Sequence, residues 1–130
     1  VEGERSTLNG KPISVRACAG VASAYMYSTA PSMFAGGHAR PHQALTEKVK
    51  LFRWGGDCYA YGLLAAGHVD LVVEADLKLY DYAALIPVIT GAGGVITDWK
   101  GKALDMQSDG AVVAAGDAAV HRAALDILST

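Results

Sequence analysis

Cysteine is scarce: Cys18 and Cys58 are the only two in 130 residues, and they do not form a Cys-x-x-Cys pair. Neither a disulfide scaffold nor a cysteine zinc site is indicated, and a reducing cytoplasm is the expected compartment. An excess of basic charge is missing too. Eleven Lys and Arg stand against thirteen Asp and Glu, for a net charge of −2, and the basic residues are scattered. Nucleic acid and anionic membranes, which are bound through clustered Lys and Arg, are therefore not expected partners. Long apolar runs are absent as well. The uncharged run from Tyr82 to Thr97 is broken by Pro87 and glycines and falls short of the roughly 20 residues that cross a bilayer. The four histidines show no metal-type pairing on a common helix face. Proline is rare, at four, whereas glycine reaches fifteen, which points to tight turns and close backbone approaches.

What remains is the composition of one folded domain, 52% hydrophobic and 18% charged. Asn9-Gly10 marks a turn, and Lys11–Arg16 and Ser23–Ser28 read as strands. The stretch Phe34–Pro41 reads as an exposed glycine-rich loop, and Pro41–Lys50 as a short amphipathic helix. Leu51–Trp54 is a strand candidate, Cys58–Ala66 a helix stopped by Gly67, and His68–Glu74 a strand apolar enough to be buried on both faces. A helix is expected over Asp81–Gly91 with Pro87 in its first turns or at a kink. Strands follow at Gly94–Asp98 and Ala111–Ala115, then a last helix over Asp117–Leu128 with Val120, Ala124 and Leu128 on one face. The alternation from Leu51 onward predicts an α/β layered fold, a central sheet flanked by helices.

Few side chains in this frame suggest chemistry. Gly91-Ala92-Gly93-Gly94 follows a helix and precedes a strand, the reverse of the order a dinucleotide loop needs, so it reads as a structural turn. Cys58 has no adjacent base and reads as a small buried residue. Asp81 stands at the start of a helix, where a carboxylate either caps the helix or holds a hard cation facing a phosphate; spacing leaves both open.

Asp81, Ala83-Ala84, Gly91-Ala92-Gly93-Gly94-Val95, Asp98 and Gly101 together resemble the second signature of the inositol monophosphatase family, Trp-Asp-x-Ala-(Ala/Gly) running to Ala-Gly-Gly. Tyr80 stands for the usual Trp, and Ala84-Leu85 for the usual small pair. Within the family, Gly56-Asp57-Cys58-Tyr59-Ala60-Tyr61, His68–Glu74 and Ala84–Ile89 are most similar to the histidinol-phosphate phosphatases of this type. The similarity runs over nearly the whole chain, most strongly from Arg53 to Lys102.

The resemblance implies a Mg²⁺-dependent hydrolase of phosphate monoesters, a small phosphorylated alcohol as substrate, and a homodimer. It makes Asp81 a metal ligand and assigns Gly56, Asp57, Cys58 and Glu74 to the substrate, with Arg53 supporting phosphate or a neighbouring subunit. Family members are about twice this length and take further metal ligands from an Asp-Pro-x-Asp-Gly motif in an N-terminal half. This sequence contains no Asp-Pro pair and opens on Val1, so residues 1–130 are expected to be the C-terminal domain of such an enzyme, without the metal-binding half and with no catalytic base of their own. The substrate expected first is histidinol phosphate. Its ammonium and imidazole call for extra carboxylate, which Asp57 supplies and Glu74 can double. Inositol phosphate, or a non-catalytic binding or assembly module on the same fold, are the alternatives.

Overall fold

In a computed structural model, residues 4–130 are described; the opening Val1, from which a partial chain is expected, lies outside them. A small hairpin of β1 (Thr7–Leu8) and β2 (Lys11–Pro12) precedes a five-stranded sheet. That sheet contains β3 (Tyr25–Tyr27), β4 (Leu51–Arg53), β5 (Leu71–Glu74), β6 (Val95–Asp98) and β7 (Val112–Ala115) in the order β4-β3-β5-β7-β6. Strand β3 runs parallel to both β4 and β5, whereas β7 is antiparallel to β5 and β6. The helices are α1 (Ala39–Thr46), α2 (Asp57–Ala65), α3 (Leu79–Tyr82), α4 (Leu85–Gly91) and α5 (Ala118–Leu128). No helix among the described residues is long and apolar enough to cross a membrane.

Strand periodicity divides the core. Met26, Leu71, Val73, Val113 and Ala115 join Leu45 of α1 and Val120, Ala124 and Leu128 of α5 in one apolar cluster. Val72, Val112, Ala114 and Ile96 join Ala60, Tyr61 and Leu64 of α2, Tyr82 of α3 and Ile89 of α4 in the other. The central strands β5 and β7 are buried at every residue, as a sheet covered on both faces requires. The fold is thus the α/β arrangement of a sheet flanked by helices.

Several elements are shorter than their composition suggests. The expected strand Lys11–Arg16 pairs only at its first two residues. Beyond Pro12 the chain bonds singly to neighbouring loops, Ile13 N–H to Ser6 O and Val15 N–H to Ala92 O, so no ladder forms. Helix α1 starts at Ala39, two residues ahead of Pro41, because Pro in a first turn forfeits no helical hydrogen bond. Phe34, expected in an exposed loop, is buried against His42, with ring centroids 3.7 Å apart. The expected helix Asp81–Gly91 is two helices broken at Ala83-Ala84; Pro87 is the third residue of α4 and is accommodated there. The glycine cluster is structural. A Cβ on Gly94 would lie 2.9 Å from Ile89 Cγ2 and 3.0 Å from Ala115 O, so α4 can turn into β6 only over a bare backbone.

Candidate functional site

Parallel β3 and β5 end side by side, and a cavity of about 310 Å³ opens beyond their carboxyl ends, where open α/β sheets commonly bind ligands. Ser28 and Thr29 follow β3. The buried Ser28 hydroxyl donates to Val73 O at 2.7 Å, and since its proton is used there, it accepts from His42 Nε2 at 2.9 Å. Residues 55–57 fold back onto this turn. Gly55 N–H donates to Thr29 O, Gly56 N–H to Ser28 O, and Asp57 N–H to Thr29 Oγ1 at 3.0 Å. A Cβ on Gly56 would meet Ala60 Cβ at 2.7 Å and Tyr27 Cδ2 at 3.0 Å; only glycine lets α2 begin this close to β3. Asp57 then takes φ +52°, left-handed backbone that a non-glycine residue adopts at a cost of about 1 kcal/mol or more.

Three side chains of α2 reach the cavity, Asp57, Cys58 and Tyr61, along one helix face. Glu74 enters from the end of β5, sharing the face of Val72, and Asp81 from α3. Asp76, in the turn after β5, is a fourth lining carboxylate and has φ +57°. No Lys or Arg lines the cavity. It is therefore an acidic pocket, receptive to cations and hostile to a bare phosphate dianion.

The carboxylates differ in environment. Asp81 is exposed; its Oδ2 accepts from Lys78 N–H at 2.8 Å, tying down the start of α3, while Oδ1 takes part in no hydrogen bond among the described residues. Cap and candidate ligand are thus one residue with two oxygens. Glu74 is 3% exposed, and its Oε2 has no hydrogen-bond partner. Burial pushes its carboxyl above the usual range, and the Asp57 charge adds to the push. Thr29 and Tyr61 lie near enough to restrain the shift, though neither completes a well-formed hydrogen bond to Oε2. The backbone of Glu74 is pinned from behind, where Trp99 Nε1 donates to its carbonyl at 3.2 Å.

The structure thus brings together Asp57, Cys58, Glu74 and Asp81. Gly56 shapes the turn without lining the cavity, and Arg53, at the exposed end of edge strand β4, is not brought to it. Cys58, expected to be buried, is exposed at the cavity wall because it lies in the first turn of α2, ahead of the buried residues Ala60 and Tyr61. Sequence reasoning passed over Asp76, Thr29 and Tyr61. Asp76 stands five residues before Asp81 in a turn, a visible signal; the other two are set by how β3 and α2 approach. A larger cavity of about 540 Å³ lies elsewhere, beside Trp99, Lys100 and Lys102. It contains no unpartnered buried polar side chain, whereas both of those found among the described residues, Tyr61 with its Oη and Glu74 with its Oε2, line the smaller one.

No three His, Cys, Asp or Glu side chains among the described residues converge closely enough to hold a metal ion by themselves. Asp81 fits a metal as a single ligand, with a free oxygen beside an acidic cavity; a complete coordination set needs further ligands.

The sequence matches the inositol monophosphatase family over residues 1–129, and the chain belongs to that family. It is 46% identical over 135 residues to the bifunctional phosphatase IMPL2, chloroplastic, of Arabidopsis thaliana, covering 98% of this chain and 39% of that protein. It is 30% identical over 113 residues to a histidinol-phosphatase of Chlorobaculum parvum, covering 86% of this chain and 44% of that protein. Among solved structures, an inositol monophosphatase from Zymomonas mobilis superposes with a TM-score of 0.95 at 39% identity, over 98% of this chain and 51% of that one. An inositol monophosphatase from Anabaena, at 21% identity and a TM-score of 0.84, shares the fold. The chain spans between two fifths and about half the length of these relatives.

Proposed function

We propose that this chain is the C-terminal part of a Mg²⁺-dependent phosphate monoester hydrolase whose preferred substrate is histidinol phosphate. The observation that carries the reading is the acidic cavity assembled from Asp57, Glu74, Asp76 and Asp81, in a chain related to a bifunctional phosphatase and to histidinol-phosphatases. An ester dianion cannot approach four carboxylates unless cations stand between them. When bound, Mg²⁺ neutralises phosphoryl oxygens, lowers the pKa of the attacking water and stabilises the leaving alkoxide.

In this proposal Asp81 Oδ1 supplies one ligand, and the remaining ligands and the water-activating base come from the portion of the relatives that this chain does not span. The chain's own task is to bind and orient the alcohol part. Asp57, exposed at the mouth and held by Thr29, accepts the substrate ammonium, and Glu74 receives a polar group deeper in the cavity. The negative charge of Asp57 is what favours an amino alcohol over an uncharged polyol. An inositol phosphate is the second reading, supported by the 39% identity to the Zymomonas inositol monophosphatase.

The test uses the longest natural polypeptide that contains this chain, assayed with Mg²⁺ on histidinol phosphate and on inositol monophosphate. A higher kcat/KM on histidinol phosphate is expected. Asp57→Thr should erode that preference by about ten- to hundredfold, since a charge-assisted hydrogen bond contributes about 1.5–3 kcal/mol. Wild-type preference for inositol phosphate sinks the substrate assignment, and equal losses on both substrates make Asp57 a helix or metal-site residue. The 130-residue chain alone should show no Mg²⁺-dependent turnover; robust hydrolysis by it would overturn the half-enzyme reading.

A further inference from the structure

Two tyrosines, Tyr61 and Tyr82, are buried in the cluster between the sheet and helices α2 and α4. Their hydroxyls have opposite fates. Tyr82 Oη donates to Asp105 O at 2.7 Å, whereas Tyr61 Oη lies near the Glu74 carboxylate without completing a well-formed hydrogen bond to it or to any other group among the described residues. Tyr61 is 1% exposed and packs with Ala60, Leu64 and Val72, surroundings that a phenylalanine would fill equally well. Its hydroxyl therefore adds nothing to packing and costs stability as long as it stays unpaired. Native structures keep few such groups, and those they keep call for an explanation. Here the residue with the unmatched hydroxyl lines the same cavity as Glu74, a residue 3% exposed whose Oε2 is the other unmatched atom.

We propose that Tyr61 is a specificity-determining residue: its hydroxyl and Glu74 Oε2 together hold one polar group of the substrate's alcohol part that donates and accepts hydrogen bonds at once. The proposal rests on the phosphatase reading and adds to it what the inner end of the cavity selects. Glu74, as a carboxylate, can only accept. Burial, and after it the Glu74 charge, raise the Tyr61 hydroxyl well above its ordinary range, so it enters the site protonated and can donate. A group matching both must offer a proton to Glu74 and a lone pair to Tyr61. A hydroxyl does this through one atom and a neutral imidazole through its two ring nitrogens. An ammonium has no lone pair and would leave the Tyr61 proton unmatched. The cavity is thereby divided, with the cationic end of an amino alcohol at Asp57 near the mouth and its ring, or a polyol hydroxyl, at Tyr61 and Glu74.

The experiment is Tyr61→Phe in the longest natural polypeptide containing this chain, since that change removes one oxygen and keeps the ring. Steady-state kinetics on histidinol phosphate, inositol monophosphate and 4-nitrophenyl phosphate are compared with wild type, together with calorimetric binding of histidinol and inositol. The expected result is a loss of about tenfold in kcat/KM on whichever alcohol phosphate the wild type prefers, carried by KM. Turnover of 4-nitrophenyl phosphate, which lacks the donor–acceptor group, should be unchanged, and the unfolding midpoint the same or higher. An equal loss on all substrates shows that the hydroxyl supports the site as a whole, no loss on any shows that it meets only water, and either result overturns the proposal. Should the variant fail to fold, the wild type decides: histidinol or inositol must bind at least about tenfold more tightly than 2-aminopropanol, which keeps the ammonium and lacks the ring. Equal binding overturns the proposal. The two readings fail separately. A protein that hydrolyses none of these esters refutes the phosphatase function, while the calorimetry still judges the Tyr61 assignment.

Discussion

In the proposed function Asp81 serves structure and chemistry at once. As the third residue of α3 and a residue of the cavity lining, it accepts from the Lys78 N–H with one oxygen and leaves the other without a hydrogen bond among the described residues. Asparagine retains an oxygen for the Lys78 N–H but loses the formal charge that strengthens a carboxylate's hold on Mg²⁺. In the complete protein, Asp81→Asn is expected to lower kcat/KM by about a hundredfold or more while moving the melting temperature little. Steady-state kinetics and calorimetric melting on one preparation check this. A variant that melts early yet retains its specific activity would make Asp81 a cap only.

At the scale of elements, the segment between β2 and β3 contributes no ladder to the sheet and is anchored by one ionic brace. Arg16 Nε and Nη2 donate to Asp70 Oδ1 and Oδ2 at 2.9 and 2.7 Å, and Tyr25 N–H donates to Asp70 Oδ2 at 2.8 Å. The Arg16 guanidinium also lies 5.1 Å from the Tyr25 ring centroid. Asp70 is 2% exposed. Burial alone would raise its carboxyl, but Arg16 and the Tyr25 amide outweigh burial and hold it below the usual range. Asp70→Ala should lower the unfolding free energy by about 2–3 kcal/mol, less than for a fully buried pair because the Arg16 side chain is 39% exposed and can return to water. Urea unfolding of the two proteins measures this, and a change below about 0.5 kcal/mol would remove the brace from the account.

At the scale of the whole molecule, two histidines are buried among the described residues, His42 of α1 and His121 of α5. His42 is stacked on Phe34 and bonded to Ser28, and burial lowers its pKa to about 4. His121 is bonded to Thr97 Oγ1 and lowered by burial and then by the Arg122 charge. Between the unfolded value near 6.5 and the depressed native value, only the unfolded chain binds the proton, so stability falls as pH drops through that window and levels off below it. For His42 the loss between pH 6.5 and 4 is roughly 3 kcal/mol. Glu74 has the opposite sign, since its raised carboxyl takes up a proton more readily in the folded state. The depressed Asp70 adds a further loss only as pH falls below the ordinary carboxylate range. Unfolding free energies at pH 7 and pH 5 should therefore differ, and His42→Gln should shrink the difference; an unchanged difference would show that His42 is protonated without cost.

Local composition by itself determined much of this protein. The apolar run Leu71–Val73 had to be a central strand, Val120, Ala124 and Leu128 had to face a core, and Asp117 caps its helix through contacts within three residues. The family signature around Asp81 was legible because it lies in contiguous sequence. The tertiary structure decided what depends on distant approach. Asp57 and Glu74 are seventeen positions apart, and only the juxtaposition of α2 and β5 places them in one cavity. No periodicity could show that the Tyr61 hydroxyl would go unpaired while that of Tyr82 found a loop carbonyl, since Asp105 lies 23 residues from Tyr82 in the chain. The physical reason is range: propensity, capping and alternation act over a few residues, whereas a hydrogen-bond partner or a cavity wall is chosen by packing between elements far apart in the chain.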